Sequence, residues 1–273
     1  MPELPEVETI VSFLRPRLVG LVPLEVKWQT PKIFPNPELL PLILGYPIKG
    51  VSRKGKLIFL WVSSYVWLIH LKMTGQLWWV PKTAPFAAYT HLWISFVGTD
   101  YQLRYADLRK FGYWQILPKA KLNNLQLGPD ALTITSSQLA KCLKKRHAPI
   151  KTILLNQKCL AGLGNIYSDE ALWLAKIHPL TSPFILTSYQ LESLAWSIHK
   201  ILRRSLRFGG ASIRNYIKPD GTRGLYQNFN FVYQREGEAC FCCRTPIKRL
   251  KIGGRSSYFC CICQKQRLPD TAK

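Results

Sequence analysis

Six of the chain's eight cysteines fall in one short stretch, as Cys240-Phe-Cys-Cys243, sixteen residues, then Cys260-Cys-Ile-Cys263. Two CxxC knuckles at that separation match a four-cysteine zinc site, in which each knuckle supplies two thiolates to a tetrahedral ion. The predicted ligands are Cys240, Cys243, Cys260 and Cys263, holding one structural Zn2+. Four ligands leave no open position, so this ion is expected to hold structure and perform no catalysis. Cys242 and Cys261 lie inside the knuckles as bystanders. A disulfide framework is the alternative, but the acidic, proline-rich start lacks the basic and apolar regions of an export signal. Cys142 and Cys159 are read as core residues.

Between the knuckles runs KRLKIGGRSSYF, where Gly253-Gly254 suits a hairpin turn and puts Arg255 at a tip held by the metal. Such an Arg is either aimed at a phosphate or simply solvated, and spacing does not decide between them.

Upstream, the periodicity divides the chain. Val7, Ile10, Val11, Leu14 and Leu18 recur at helical spacing before Gly20, which predicts a helix over residues 3–18. From 20 to 118, KLIFLWV, VWLIHL, GQLWWV, HLWISF, YQLRYAD and GYWQILP read as antiparallel strands of a sandwich or barrel. From Ser136 helical spacing returns in four segments, followed by a long glycine-rich loop over 209–227. The fold class is therefore α+β: an N-terminal helix with an antiparallel β-sandwich, a helical domain, and a cysteine-rich hairpin. At 273 residues with 47% hydrophobic content, two domains or one with an appendage are expected.

Lys and Arg total 38 against 15 Asp and Glu, a formal +23, which points to a polyanionic partner, with nucleic acid first. Apolar runs are too short to span a bilayer, so no membrane role is expected. Gly162 and Gly164 precede Asn165, read as the cap of a helix from Ile166, and make an anion-binding turn beside Lys144, Lys145, Arg146 and Lys151. On the strands, ADLRKFG puts Arg109 and Phe111 on a loop, a cation and an aromatic that could replace an extruded base. Core packing is the default for Phe111 and for Met73 in HLKMTG. At the start, MPELPEVE sets Pro2, Glu3, Pro5, Glu6 and Glu8 together. On these residues alone helix initiation is favoured, with the acids serving the dipole, over a reactive chain end.

PELPEVE, SRKGK, HLKMTG, RYADLRKFG, QKCLAGLGNIYSDEALW and the C-x2-C-x16-C-x2-C hairpin with GGRSSYFC occur in that order. Together they closely resemble the formamidopyrimidine-DNA glycosylases over essentially the whole chain. The resemblance implies domains at 1–130 (helix and sandwich, catalytic), 131–230 (helix-two-turn-helix with a lesion-binding loop) and 231–273 (zinc finger). It implies excision of oxidised purines from double-stranded DNA, followed by β,δ-elimination, by a monomer in the bacterial cytoplasm.

Position by position, the resemblance makes Pro2, freed by loss of Met1, the amine nucleophile. An α-amino group near its ordinary pKa of about 7.7–8.0 is partly unprotonated at neutral pH. Glu3 matches the acid/base residue, Lys56 the lysine of β-elimination, and Arg255 the arginine that assists δ-elimination and binds phosphate. Met73, Arg109 and Phe111 match the residues that fill the gap and face the orphaned cytosine. Arg146, Lys151 and Asn165 match backbone-binding positions. The sequence departs from the family at Leu108 (commonly Pro), at Tyr89 (often a DNA-contacting His) and at Leu225 (often Tyr or Phe). An endonuclease VIII type enzyme usually opens Pro-Glu-Gly-Pro-Glu, unlike Leu4 here. A non-catalytic zinc-ribbon binder explains the charge and cysteines but not Pro2, Glu3 and Lys56 together.

Overall fold

Helix α1 spans Leu4–Leu18 in a computed structural model that describes residues 1–144 and 146–266. Its apolar stripe of Val7, Ile10, Val11, Leu14 and Leu18 is at most 1% exposed. Pro5 sits in the first turn, where a missing N–H costs no helical bond. The helix packs against β2 (Ile48–Lys54) and β3 (Leu57–Val62), with Arg15 Nε donating to the Val51 carbonyl at 2.9 Å.

The six expected strands form: β3, β4 (Tyr65–His70), β5 (Gly75–Pro81), β6 (Thr90–Phe96), β7 (Tyr101–Asp107) and β8 (Tyr113–Pro118). Two more join them, β2 and β1 (Pro23–Trp28). They build two four-stranded antiparallel sheets, ordered β1-β6-β7-β5 and β2-β3-β4-β8. Proline opens edge strand β1, where its lost donor does no harm. One core joins α1 to both sheets, with Trp67 and Trp114 meeting edge to face at 5.2 Å between ring centroids. Fully burying side chains of this size stabilises by roughly 1.5–3 kcal/mol each.

The chain divides into two compact units, Met1–Leu125 with Leu206–Gln227, and Gln126–Ser205 with the segment from Asn228 onward. The glycine-rich loop thus belongs to the unit that carries α1 and the sandwich.

The second unit holds α2 (Ser136–Leu143), α3 (Ile150–Leu154), α4 (Asn165–Leu174), most of α5 (Ser188–Arg207) and the hairpin β9 (Lys248–Ile252) to β10 (Arg255–Phe259). Thr135 and Gln138 cap α2 reciprocally, each side chain bonded to the other's backbone N–H at 3.1 Å. Helix α2 stops at Leu143, and Lys144 leaves it with φ −55° and ψ 136°. The Cys142 and Cys159 sulfurs are paired as a disulfide across Cα atoms 5.2 Å apart; Cys159 lies in the core as expected, while Cys142 is only half-buried. Among the described residues no helix is long and apolar enough to cross a membrane.

Candidate active site and nucleic-acid interface

In the first unit, Pro2 and Glu3 are buried, while Met1 is 44% exposed. Burial holds the Met1 ammonium below the ordinary 8.0, and Lys56 and Arg214 push it the same way against Glu3 and Glu6. Lys56 is 6% exposed in the turn joining β2 to β3, a turn made possible by Gly55 at φ +57°. Pro2, Glu3 and Lys56 are therefore gathered at one end of α1.

Glu6 does more than the dipole role expected of it. It is 1% exposed; one carboxylate oxygen accepts from Glu3 N at 2.7 Å and the other from Ala211 N at 2.8 Å. Gly210, at φ +81°, lies so close that a Cβ would come within 2.8 Å of that carboxylate. The loop over 209–227 is thus fastened beside the chain start. Its middle is tied to β5, where Trp79 N donates to the Pro219 carbonyl and Gln76 Nε2 to the Asn215 carbonyl. The sequence offered only the Glu3–Glu6 spacing as a signal for Glu6. Leu225 is 52% exposed on the loop.

Met73, Tyr89 and Phe111 are 38%, 55% and 47% exposed on turns at strand ends, so the default of core packing for Met73 and Phe111 does not hold. Arg109 is exposed as well, with its guanidinium 4.5 Å from the Phe111 ring centroid, a cation–π contact.

In the second unit, the Gly253-Gly254 turn, with φ of +53° and +77°, leaves Arg255 exposed at the start of β10. The next carbonyl, Ser256, accepts from Lys151 Nζ and from Asn165 Nδ2, both at 3.0 Å. Lys151, Asn165 and the Arg255 tip are therefore brought together, but in different roles from those expected. Lys151 is fully buried and paired with Asp169 at 2.7 Å, which places its ammonium away from solvent. Asn165 is the first residue of α4, and Gly164 takes the cap position assigned to it. The Gly162 N–H, one of the donors expected of the anion turn, is already bonded to Gln157 Oε1 at 2.9 Å. Arg146 is anchored separately, Nε to the Cys142 carbonyl at 2.8 Å; Lys145 lies outside the described residues.

Two acids of α4 that sequence reasoning passed over hold the cysteine-rich segment. Asp169 accepts from Tyr258 N at 3.0 Å, and Glu170 accepts from the backbone of Phe231, Val232 and Tyr233 at 2.8 to 2.9 Å. Burial pushes both carboxyls up, with Lys151 opposing it at Asp169 and the three N–H groups opposing it at Glu170. Their only sequence signal was acid placed within a helix of a strongly basic chain.

The Sγ atoms of Cys240, Cys243, Cys260 and Cys263 all lie within 4.8 Å of one another. Cys240 to Cys263 is 3.9 Å and Cys243 to Cys260 is 3.3 Å. A tetrahedral ion with bonds of about 2.3 Å needs sulfurs about 3.8 Å apart, so small side-chain shifts would let the four hold one. Cys240 and Cys260 are fully buried, and the cluster packs with Val232 and Ile247 against Trp173 of α4. Burial disfavours the Cys240 thiolate, but N–H donors from Cys243 and Cys242 outweigh it and the thiol is held below its ordinary range.

A chain end beside acids and a buried lysine, exposed Met73, Arg109 and Phe111 on a sandwich, and a helical unit with a four-cysteine hairpin, in a chain of formal charge +23, fit a protein that acts on nucleic acid. Residues 1–114 match the formamidopyrimidine-DNA glycosylase N-terminal domain, and 126–216 match its H2TH domain. The chain belongs to the formamidopyrimidine-DNA glycosylase family. It is 40% identical to the formamidopyrimidine-DNA glycosylase of Desulforamulus reducens, covering 98% of this chain and all of the relative, and 37% identical to that of Bacillus subtilis with the same coverage. Among solved structures, a Lactococcus lactis Fpg mutant in complex with Fapy-dG containing DNA superposes with a TM-score of 0.90 at 35% identity. MutM in complex with carbocyclic 8-oxo-G containing DNA gives 0.89 at 35% identity. Each covers 97% of this chain and 100% of its own.

Proposed function

We propose that the chain excises oxidised purines, 8-oxoguanine and formamidopyrimidines, from double-stranded DNA and then cleaves the strand, as a glycosylase and abasic-site lyase. One observation carries this reading: Pro2 and Glu3 are buried at a chain end close to Glu6, Arg214 and the buried Lys56. With Met1 removed, the Pro2 nitrogen forms a bond to C1′ as the glycosidic bond breaks, and the base leaves with the bonding pair and takes up a proton. Sugar-ring opening gives a C1′ iminium. Loss of a C2′ proton then expels the 3′ phosphate, and a second elimination expels the 5′ phosphate.

Glu3 serves the proton transfers beside the nucleophile, Lys56 the β-elimination, and Arg255 the phosphate during δ-elimination. Met73, Arg109 and Phe111 fill the space of the extruded base, with Tyr89 beside them on the DNA. Arg146 and Asn165 serve the backbone grip. Lys151 serves it through the hairpin that it supports, which its burial favours over direct contact. Four thiolates and no other donor fit Zn2+, which when bound supplies only rigidity. Residues 1–130 would carry the chemistry, 131–230 the grip and lesion loop, and 231–273 the zinc hairpin. The protein would work as a monomer on the DNA of the bacterial cytoplasm.

Borohydride reduction on a duplex with 8-oxoguanine opposite cytosine tests the reading, with a covalent protein–DNA adduct as the expected result. Pro2→Gly should lower excision by orders of magnitude. Full activity from a protein with residues left before Pro2 would refute the nucleophile assignment. Preference for a thymine glycol duplex would move the chain to the pyrimidine-directed relatives.

A further inference from the structure

Three exposed turns carry Met73, Tyr89, and Arg109 with Phe111, and all three converge on Asp107, which is itself 1% exposed. Its Oδ1 accepts from the Thr74 hydroxyl, next to Met73, and from Arg109 N at 3.2 Å. Its Oδ2 accepts from Gly112 N at 2.8 Å and from the Tyr105 hydroxyl at 3.0 Å. Its main chain reaches the third turn, where Asp107 N donates to the Tyr89 carbonyl at 3.0 Å and His91 Nε2 meets the Asp107 carbonyl at 3.0 Å. Thr74 closes the set, accepting from Arg109 N at 3.1 Å.

Each turn holds a non-glycine residue in the left-handed region: Lys72 at φ +50°, Tyr89 at +62° and Lys110 at +55°. Such conformations persist where surrounding bonds over-determine them. The Tyr105 hydroxyl is walled in by two glycines, since a Cβ on Gly75 would lie 2.7 Å from it and one on Gly112 1.8 Å. Burial raises the Asp107 carboxyl, but Thr74, Gly112, Tyr105 and Arg109 outweigh it and hold it below its ordinary 3.8, so it is ionised at neutral pH.

We propose that Asp107, acting through Thr74, is a positioning residue that locks Met73, Arg109 and Phe111 into one rigid wedge, so that they enter the duplex together. The inference rests on the proposed base-extruding function. An isolated turn at each position could be ordered by its own residues, but the shared carboxylate makes the separation of the three side chains a property of one anchor. An asparagine at 107 offers one acceptor oxygen where two are used. Hydroxyls of Thr74 and Tyr105 can reverse their bonds, but backbone N–H groups cannot.

The test separates base extrusion from the chemistry that follows it, using Asp107→Asn and the milder Thr74→Val. Excision of 8-oxoguanine opposite cytosine should fall about tenfold or more, the range expected when a buried hydrogen-bonding group loses its partner. Preference for cytosine over adenine opposite the lesion should narrow. Borohydride trapping on a duplex with a preformed abasic site, which has no base to extrude, should stay within about twofold for both variants. Unchanged excision by both variants would overturn the proposal. So would a parallel loss of excision and abasic-site trapping in Thr74→Val, which is what a merely structural role predicts. Failure of the unsubstituted protein to excise or trap would count against the proposed function itself, a result distinct from either.

Discussion

The two units each use buried carboxylates to hold backbone in place, but in different settings. In the first unit, Glu6 fastens the 209–227 loop at buried Ala211, while Asp107 binds turns that end in solvent and is held ionised by four donors. In the second, Asp169 and Glu170 sit on a helix with no exposure above 1%, and burial drives both carboxyls up despite their donors. Acceptor bonds of one kind thus serve an exposed set of turns in one case and the seam between α4 and the cysteine hairpin in the other. Donors can outweigh desolvation at the rim of a sheet and fail to do so inside a helical core.

Glu170→Ala breaks the second half of the comparison most severely. Three backbone N–H groups lose their acceptor at once in a buried seam, and each buried donor left unsatisfied costs about 1–3 kcal/mol. Calorimetry should show the transition of the second unit shifted down or lost, with zinc released at lower chelator concentration, since metal binding and folding are coupled. A melting curve indistinguishable from that of the parent would refute the seam role.

Glu6→Gln tests the first unit with a smaller change. One of its two buried acceptors becomes an amide NH2 that faces either Glu3 N or Ala211 N, at an expected cost of about 1–3 kcal/mol. The cost should be local. Hydrogen exchange ought to quicken at Ala211 and Ser212 while α4 is unchanged, and equal protection throughout the 209–227 loop would remove Glu6 as its fastener.

What the sequence revealed and what it hid follow from distance along the chain. The Cys knuckles, the amphipathic α1 stripe and six strands are local patterns, and all were legible. Strand β1 was missed although Leu24, Val26 and Trp28 alternate with Glu25 and Lys27, because the run is short, opens on proline and carries a bulge near Pro23. Exposure of Met73 and Phe111 could not be read from residue type, since apolar side chains at strand ends usually pack inward. Glu6 bonds a backbone group 205 residues away and Lys151 reaches the carbonyl of Ser256, 105 residues away. The pairing of Cys142 with Cys159 likewise had no spacing signature to announce it. Family resemblance named residues for the chemistry, but it did not say that Lys151 would be buried or that Asp107 would join the wedge turns.

The smallest expected effect sharpens the contrast through pH. His70 accepts a bond from Lys72 N at 2.9 Å through Nδ1, fixing the turn that precedes Met73. Burial, with Lys72 and Lys56 nearby, lowers its pKa from 6.5 to about 3. A base held neutral in the folded state stabilises above the unfolded pKa, and that contribution is lost as pH falls from 6.5 toward 3. One unit below 6.5, at about pH 5.5, the first unit should have lost about 1.4 kcal/mol through this group. Glu170 has the opposite sign: its raised pKa means the folded state takes up protons more readily, so stability from this group grows as pH falls. Asp107, already ionised far above its lowered pKa, adds nothing between neutrality and pH 5.5. His178 and His199 of the second unit are likewise held below 6.5 by burial, so thermal melts of zinc-loaded protein across that window should show the first unit's transition falling by an amount that depends on His70. His70→Gln, which keeps an acceptor but cannot take a proton, should flatten the fall. A fall in the first unit's transition that is unchanged in His70→Gln would mean that the burial of His70 does not set that unit's pH response.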